Sequence, residues 1–164
     1  MTAAVAIAAA EAVEREAGIR PALKWPNDLV VDDLKLAGVL AELLPGPGTM
    51  AVVVGLGLNL DWPPERLLPT ATALNVVAGR APGRDEVLTA MLERVGQWYG
   101  NLDAVAGEYR RCCVTIGRVV RVDLSAESFT GRALDIDDEG HLLVDVGPCV
   151  RTVAAGDVIH IRRT

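Results

Sequence analysis

Aromatic side chains supply only 4% of the 164 residues, and Phe129 is the single phenylalanine, so any core must be built from Ala, Val and Leu. Hydrophobic residues still make up 51% of the chain and charged ones 23%, a balance that excludes a disordered polymer. Basic residues are in the minority. Sixteen Lys and Arg against 22 Asp and Glu leave a net charge of −6, without the basic face that neutralising nucleic-acid phosphates requires. Arg110, Arg111, Arg118 and Arg121 form the densest basic group, but Asp123, Glu127, Asp135 and Asp137 to Glu139 offset it. No nucleic-acid partner is expected.

Cysteine is equally sparse. Cys112 and Cys113 are adjacent and Cys149 stands alone, which gives neither a disulfide framework nor a spaced metal quartet and suits a cytoplasmic protein. The adjacent pair reads as small buried hydrophobes, with redox activity the alternative. No apolar run reaches the ~20 residues a membrane-crossing helix needs. The alanine-rich opening lacks a basic start and runs into Glu11, Glu14, Arg15 and Glu16, so it reads as a helix and not a signal peptide. Nor does a nucleophile with its base stand out: His141 and His160 read as structural, and no Ser or Cys sits in a nucleophile-elbow pattern.

Residues 2–17 are strong helix formers, and Gly18 is placed to end their helix in the left-handed conformation. Residues 29–31 and 35–44 read as two strands turning at Asp32-Asp33, with a second turn at Pro45-Gly46-Pro47-Gly48 and a strand over 50–60. Trp62-Pro63-Pro64 stops that strand, and the spacing of Val87, Leu88, Met91, Leu92, Val95 and Trp98 predicts one helix over 84–109 with these residues facing a core. Beyond Cys113 five short β-rich runs, 114–124, 129–136, 141–146, 149–153 and 158–161, predict a small barrel. The chain therefore divides into a unit of residues 1–112 and a second of 113–164.

Three segments carry candidate chemistry. In Leu23-Lys24-Trp25-Pro26-Asn27-Asp28 a proline-fixed corner presents a charge, an aromatic and two short polar side chains; it is either a site or a turn in which Trp25 fills a core gap. Asp28 has the chemistry to approach a hydrated Mg²⁺. Lys35 precedes the apolar run Leu36-Ala37-Gly38-Val39-Leu40, where it either pairs with an anion or extends into solvent, and Gly38 marks close approach by a ligand or backbone. Over residues 52–60 the two-residue period puts Val52, Val54, Leu56, Leu58 and Leu60 on one face and Gly55, Gly57 and Asn59 on the other. That bare strip suits a flat ligand such as adenine, or a packed chain segment or subunit. Its glycine spacing is not a dinucleotide fingerprint.

Taken in order, Lys24-Trp25-Pro26-Asn27-Asp28, Lys35-Leu36-Ala37-Gly38-Val39-Leu40 and Val54-Gly55-Leu56-Gly57-Leu58-Asn59 resemble the catalytic domain of biotin protein ligases, closely over residues 3–60 and loosely beyond. The resemblance implies an α+β fold, part of the mixed biotin/lipoate-ligase sheet with helices followed by an SH3-like barrel. It also implies an ATP-dependent enzyme that makes biotinyl-adenylate with Mg²⁺ and transfers biotin to a lysine of a biotin carboxyl carrier protein. In that family the lysine matching Lys35 contacts biotin and adenylate, positions matching Gly38, Val39, Gly55 and Gly57 line the pocket, and Asn59 matches the adenine reader. Lys24, Asn27 and Asp28 match positions near phosphate and metal. Family members place a Gly/Arg-rich lid and biotin-contacting strands before the helix that opens this chain, so the resemblance implies a shortened N-terminus. A non-catalytic binding or dimerisation module, such as a homodimer, is the alternative.

Overall fold

A computed structural model describes residues 1–46 and 48–161. Pro47, in the expected turn, and residues 162–164, at the end of the expected second unit, lie outside the described residues.

Helix α1 (Thr2–Ala17) ends at Gly18, whose φ of 74° is the left-handed conformation a residue with a side chain adopts at a cost. Nine of its residues, mostly alanine, are buried. Small side chains on nearly every face let other elements approach from several directions, and α1 packs on the sheet that follows it and on two later helices.

Strands β1 (Ala22–Lys24), β2 (Asp28–Val31), β3 (Leu34–Gly46) and β4 (Thr49–Leu58) form an antiparallel meander in that order. Asp32 and Asp33 make the β2–β3 turn with φ of 51° and 63°, a two-residue hairpin in which both residues are left-handed. After β4 come a 3-10 turn at Pro64–Arg66, the short helix α2 (Leu74–Val77) and α3 (Arg84–Tyr99). The helix expected over 84–109 is two helices: Gly100 ends α3, Asn101 has a non-helical backbone, and α4 (Leu102–Cys112) starts afresh. The expected stripe is only partly inward, since Val87 is buried while Leu88 and Leu92 are exposed.

The second sheet runs β8-β7-β6-β5-β9, all antiparallel, with β5 at Val119–Asp123, β6 at Ser128–Ile136, β7 at Leu142–Asp145, β8 at Val150–Val153 and β9 at Asp157–His160. A bulge between Ala133 and Asp135 bends β6. Val120, Val122, Ala133, Leu142 and Val144 form the sheet's buried core, which is continuous with α1, Trp25 and Tyr109. The first of the expected runs is a strand only from Val119, because residues 114–118 form turns against β1: Val114 N–H donates to Leu23 O at 2.8 Å. The architecture is α+β.

Candidate active site

Antiparallel register places Lys24 opposite Asp28, Asp28 opposite Gly38, and Gly38 opposite Gly57. Directly opposed residues share a face, so these four form a row across the sheet. Lys35 joins the row through a bulge between Leu29 and Val30, which swings its side chain back over Gly38. Its Nζ lies 2.6 Å from Asp28 Oδ1. A Cβ added at Gly38 would stand 3.2 Å from both Cε and Nζ of Lys35, so the missing side chain makes room for the ammonium. Half of the Lys35 side chain remains exposed while that of Asp28 is 17% exposed, so the pair presents its cation outward.

Gly55 and Gly57 continue the face along β4. An added Cβ at Gly57 would meet nothing within 4 Å, and one at Gly55 would meet only Leu40 O at 4.0 Å. No described segment of this chain packs on Gly55 or Gly57, so of the three occupants the strip's composition suited, a flat ligand and another subunit remain within the described residues. The opposite face of β4, with Val52, Val54, Leu56 and Leu58, lines an apolar cavity of about 740 Å³ with α3 and the start of α1.

Asn59 does not simply present its amide to the strip. Its Nδ2 donates to Thr72 O at 2.9 Å, and its backbone bridges Leu36 O and Leu74 N–H. Lys35 is bracketed in the same way: its N–H donates to Thr70 O and its carbonyl accepts from Thr72 N–H, each at 2.8 Å. Residues 70–72 thus run along the lysine, and Thr72, 1% exposed, keeps a buried Oγ1 with no hydrogen-bond partner among the described residues. A stretch of turn-like composition gave no sequence signal for Thr72.

The Lys24–Asp28 corner is clamped from three sides. Trp25 is buried and its indole N–H donates to Gly140 O at 2.9 Å, so it does fill a core gap. Asn27 Nδ2 donates to Val39 O at 2.7 Å and Val39 N–H donates to Asn27 O at 2.9 Å, which ties Asn27 to β3. From α4, Tyr109 OH donates to Pro26 O at 3.0 Å; burial, then Cys113 and Asp28, raises its phenol far above the ordinary value. Lys24 is among the charges acting on His160 of the second sheet. Burial above all, then the cations Arg118 and Lys24, depress this imidazole to about 4 against an opposing pull from Asp33, so it is neutral near pH 7.

Asp28 Oδ1 pairs with Lys35, and among the described residues Asp28 belongs to no group of three metal-ligating side chains. Asp137, Glu139 and His141 do cluster, on the turn before β7 that Trp25 reaches through Gly140. Among the arginines of the basic group, Arg110 pairs with Asp138, Arg111 with Glu108, Arg118 with Asp33 and Arg121 with Asp123. Cys113 is core, whereas Cys112 is half-buried with its thiol pushed up by burial and by Glu108.

A four-stranded meander carrying a lysine over a glycine floor, joined to a small second sheet, is the arrangement of the biotin and lipoate protein ligase fold. The sequence model of the biotin/lipoate A/B protein ligase family matches residues 2–59, and that of the biotin protein ligase C-terminal domain matches residues 115–161. The chain belongs to the biotin protein ligase family. It is 41% identical over 145 residues to the biotin–[acetyl-CoA-carboxylase] ligase of Mycobacterium tuberculosis, covering 85% of this chain and 53% of that protein. It is 30% identical over 145 residues to the corresponding ligase of Paracoccus denitrificans, covering 82% and 60%. The apo biotin protein ligase of Aquifex aeolicus has the same fold, with a TM-score of 0.85 at 24% identity over 97% of this chain and 74% of that one. The same ligase in complex with biotin and ATP gives 0.79 at 24% identity, over 99% and 71%. The chain thus spans about half the length of the Mycobacterium relative. No helix among the described residues is long and apolar enough to cross a membrane.

Proposed function

We propose that this chain carries part of the adenylation site of a cytoplasmic biotin–protein ligase, which joins biotin to ATP as biotinyl-5'-AMP and passes biotin to a carrier-protein lysine. The observation that carries the reading is the Lys35 ammonium held over Gly38 by Asp28, beside an open strip at Gly55 and Gly57. In the first step a biotin carboxylate oxygen attacks the α-phosphorus, the bond to the β-phosphate oxygen breaks, and pyrophosphate leaves. Lys35 supplies positive charge where negative charge develops, and the glycine floor aligns the reactants, with buried Val39 supporting it from the other side of the sheet. In the second step a neutral carrier amine attacks the mixed anhydride, releasing AMP and a proton, with Asp28 placed to orient the amine.

Asn59 acts here by fixing residues 70–72 against the adenine side of the strip, and Lys24 and Asn27 shape the corner near the phosphates. Asp28 is the carboxylate that would lie beside a Mg²⁺ ion bound with the triphosphate, where the metal would offset phosphate charge. The carrier is the biotin carboxyl carrier protein of an acyl-CoA carboxylase, as the names of the Mycobacterium and Paracoccus relatives suggest. Residues 1–112 and 113–164 are the two units, and a homodimer is a further part of the proposal.

Incubation with biotin, labelled ATP and Mg²⁺ tests the reading. Pyrophosphate release that depends on biotin and is abolished by Lys35→Ala is expected; release retained by Lys35→Ala would overturn it.

A further inference from the structure

Thr115 and His160 lie at opposite ends of the second unit's sequence and meet beneath the Lys24–Asp28 corner. Thr115 is fully buried, and its Oγ1 accepts from Trp25 N–H at 3.1 Å. The same oxygen lies 3.1 Å from His160 Nε2, and the His160 side chain is only 8% exposed. A buried hydroxyl has one proton to place, and the acceptor within reach is Nε2. Nε2 is then the unprotonated nitrogen, and Nδ1 carries the imidazole hydrogen. Nδ1 lies 3.7 Å from Asp33 Oδ1, whose charge favours the same tautomer. Asp33 is also held by Arg118 at 2.7 Å. The second unit therefore grips both approaches to β2: the corner before Asp28 through Thr115, and the left-handed Asp32-Asp33 turn after Val31 through His160 and Arg118.

We propose that the chain from Trp25 N–H through the Thr115 hydroxyl to His160 fixes the position of Asp28, making His160 a positioning residue for the adenylation site, an inference that rests on the ligase reading. His160 touches no reacting atom. It acts by holding Thr115 so that the corner keeps Asp28 under Lys35. A slack corner lets Asp28 drift, and Lys35 follows it away from Gly38.

Two substitutions in the full chain separate this role from bulk packing. His160→Gln supplies an oxygen that can accept the Thr115 hydroxyl; His160→Phe keeps the ring volume without an acceptor. Hydrogen exchange at Trp25 N–H reads the relay directly, with Val87 N–H of α3 as the internal control. In His160→Phe, Trp25 exchange should rise about tenfold, as for a weakened buried hydrogen bond, with the control unchanged, and His160→Gln should restore it. Nitrogen shifts of the wild-type imidazole should report the Nδ1–H tautomer. Pyrophosphate release should fall in His160→Phe chiefly through kcat and recover in His160→Gln. Unchanged Trp25 exchange in His160→Phe, an Nε2–H tautomer, or equal loss of kcat in both variants overturns the inference. Absence of release from the unsubstituted chain overturns the ligase reading and the catalytic part of the inference, while exchange and tautomer still decide whether the relay exists.

Discussion

At the scale of single residues, Gly38 and Gly57 stand opposite one another but leave different amounts of space. Above Gly57 there is nothing within 4 Å, so Gly57→Ala should change stability by no more than about 0.5 kcal/mol. If biotin or its adenylate lies on the strip, the same methyl group raises KM for biotin in pyrophosphate-release kinetics. A stable variant with unchanged KM would remove the glycine floor from the site. Gly38→Ala meets Lys35 Cε and Nζ at 3.2 Å, so the lysine tip has to give by a few tenths of an ångström where it pairs with Asp28. Overpacking of this kind costs on the order of 1 kcal/mol, and thermal unfolding should show it together with lost turnover. These positions were legible in sequence because strand alternation sorts residues into faces without knowledge of the partner strands. Thr72, Thr115 and His160 were not legible: their roles depend on contacts spanning tens of residues, such as the 90 between Trp25 and Thr115.

At the scale of elements, α1 and the β2–β3 hairpin follow from local chemistry, alanine propensity and Gly18 in one case and a two-aspartate turn in the other. The break between α3 and α4 was missed because the apolar spacing runs on past Gly100-Asn101 and only a low local propensity opposes it. Strand β9 brings a consequence for pH. His160 binds its proton at about 4 when folded against an ordinary value of 6.5, so between these limits the unfolded chain holds more protons. Its contribution is complete above pH 6.5 and is lost as pH falls towards 4, amounting to on the order of 3 kcal/mol for one site. Urea unfolding at pH 7 and at pH 5 should therefore show a loss in the unsubstituted chain that is smaller in His160→Gln. Parallel pH curves for the two proteins would show that the imidazole is not the titrating group.

For the whole molecule, the first sheet is unevenly covered. Ladder pairing between β2 and β3 stops at Gly38, Val39 is tied to Asn27, and β4 is the last strand of its sheet, so among the described residues the ribbon of 40–46 and 49–54 has unpaired backbone along both sides. Leu40, Leu43 and Leu44 on β3 and Met50, Val52 and Val53 on β4 are each more than 40% exposed. An edge that is long, apolar and free of blocking charge templates pairing with another strand. Only Glu42 interrupts it with a charge. If the proposed homodimer forms through this ribbon, sedimentation should show association that rises with concentration. Leu43→Lys combined with Val53→Lys should return the chain to a monomer, because each lysine puts a charge where two apolar strands would meet. Both side chains are at least half exposed, so the unfolding temperature should barely move. An unsubstituted chain that sediments as an ideal monomer at every concentration would remove the dimer from the proposal. The Lys35 site would be unaffected, since the exposed ribbon begins beyond Gly38 on the strand that carries the lysine.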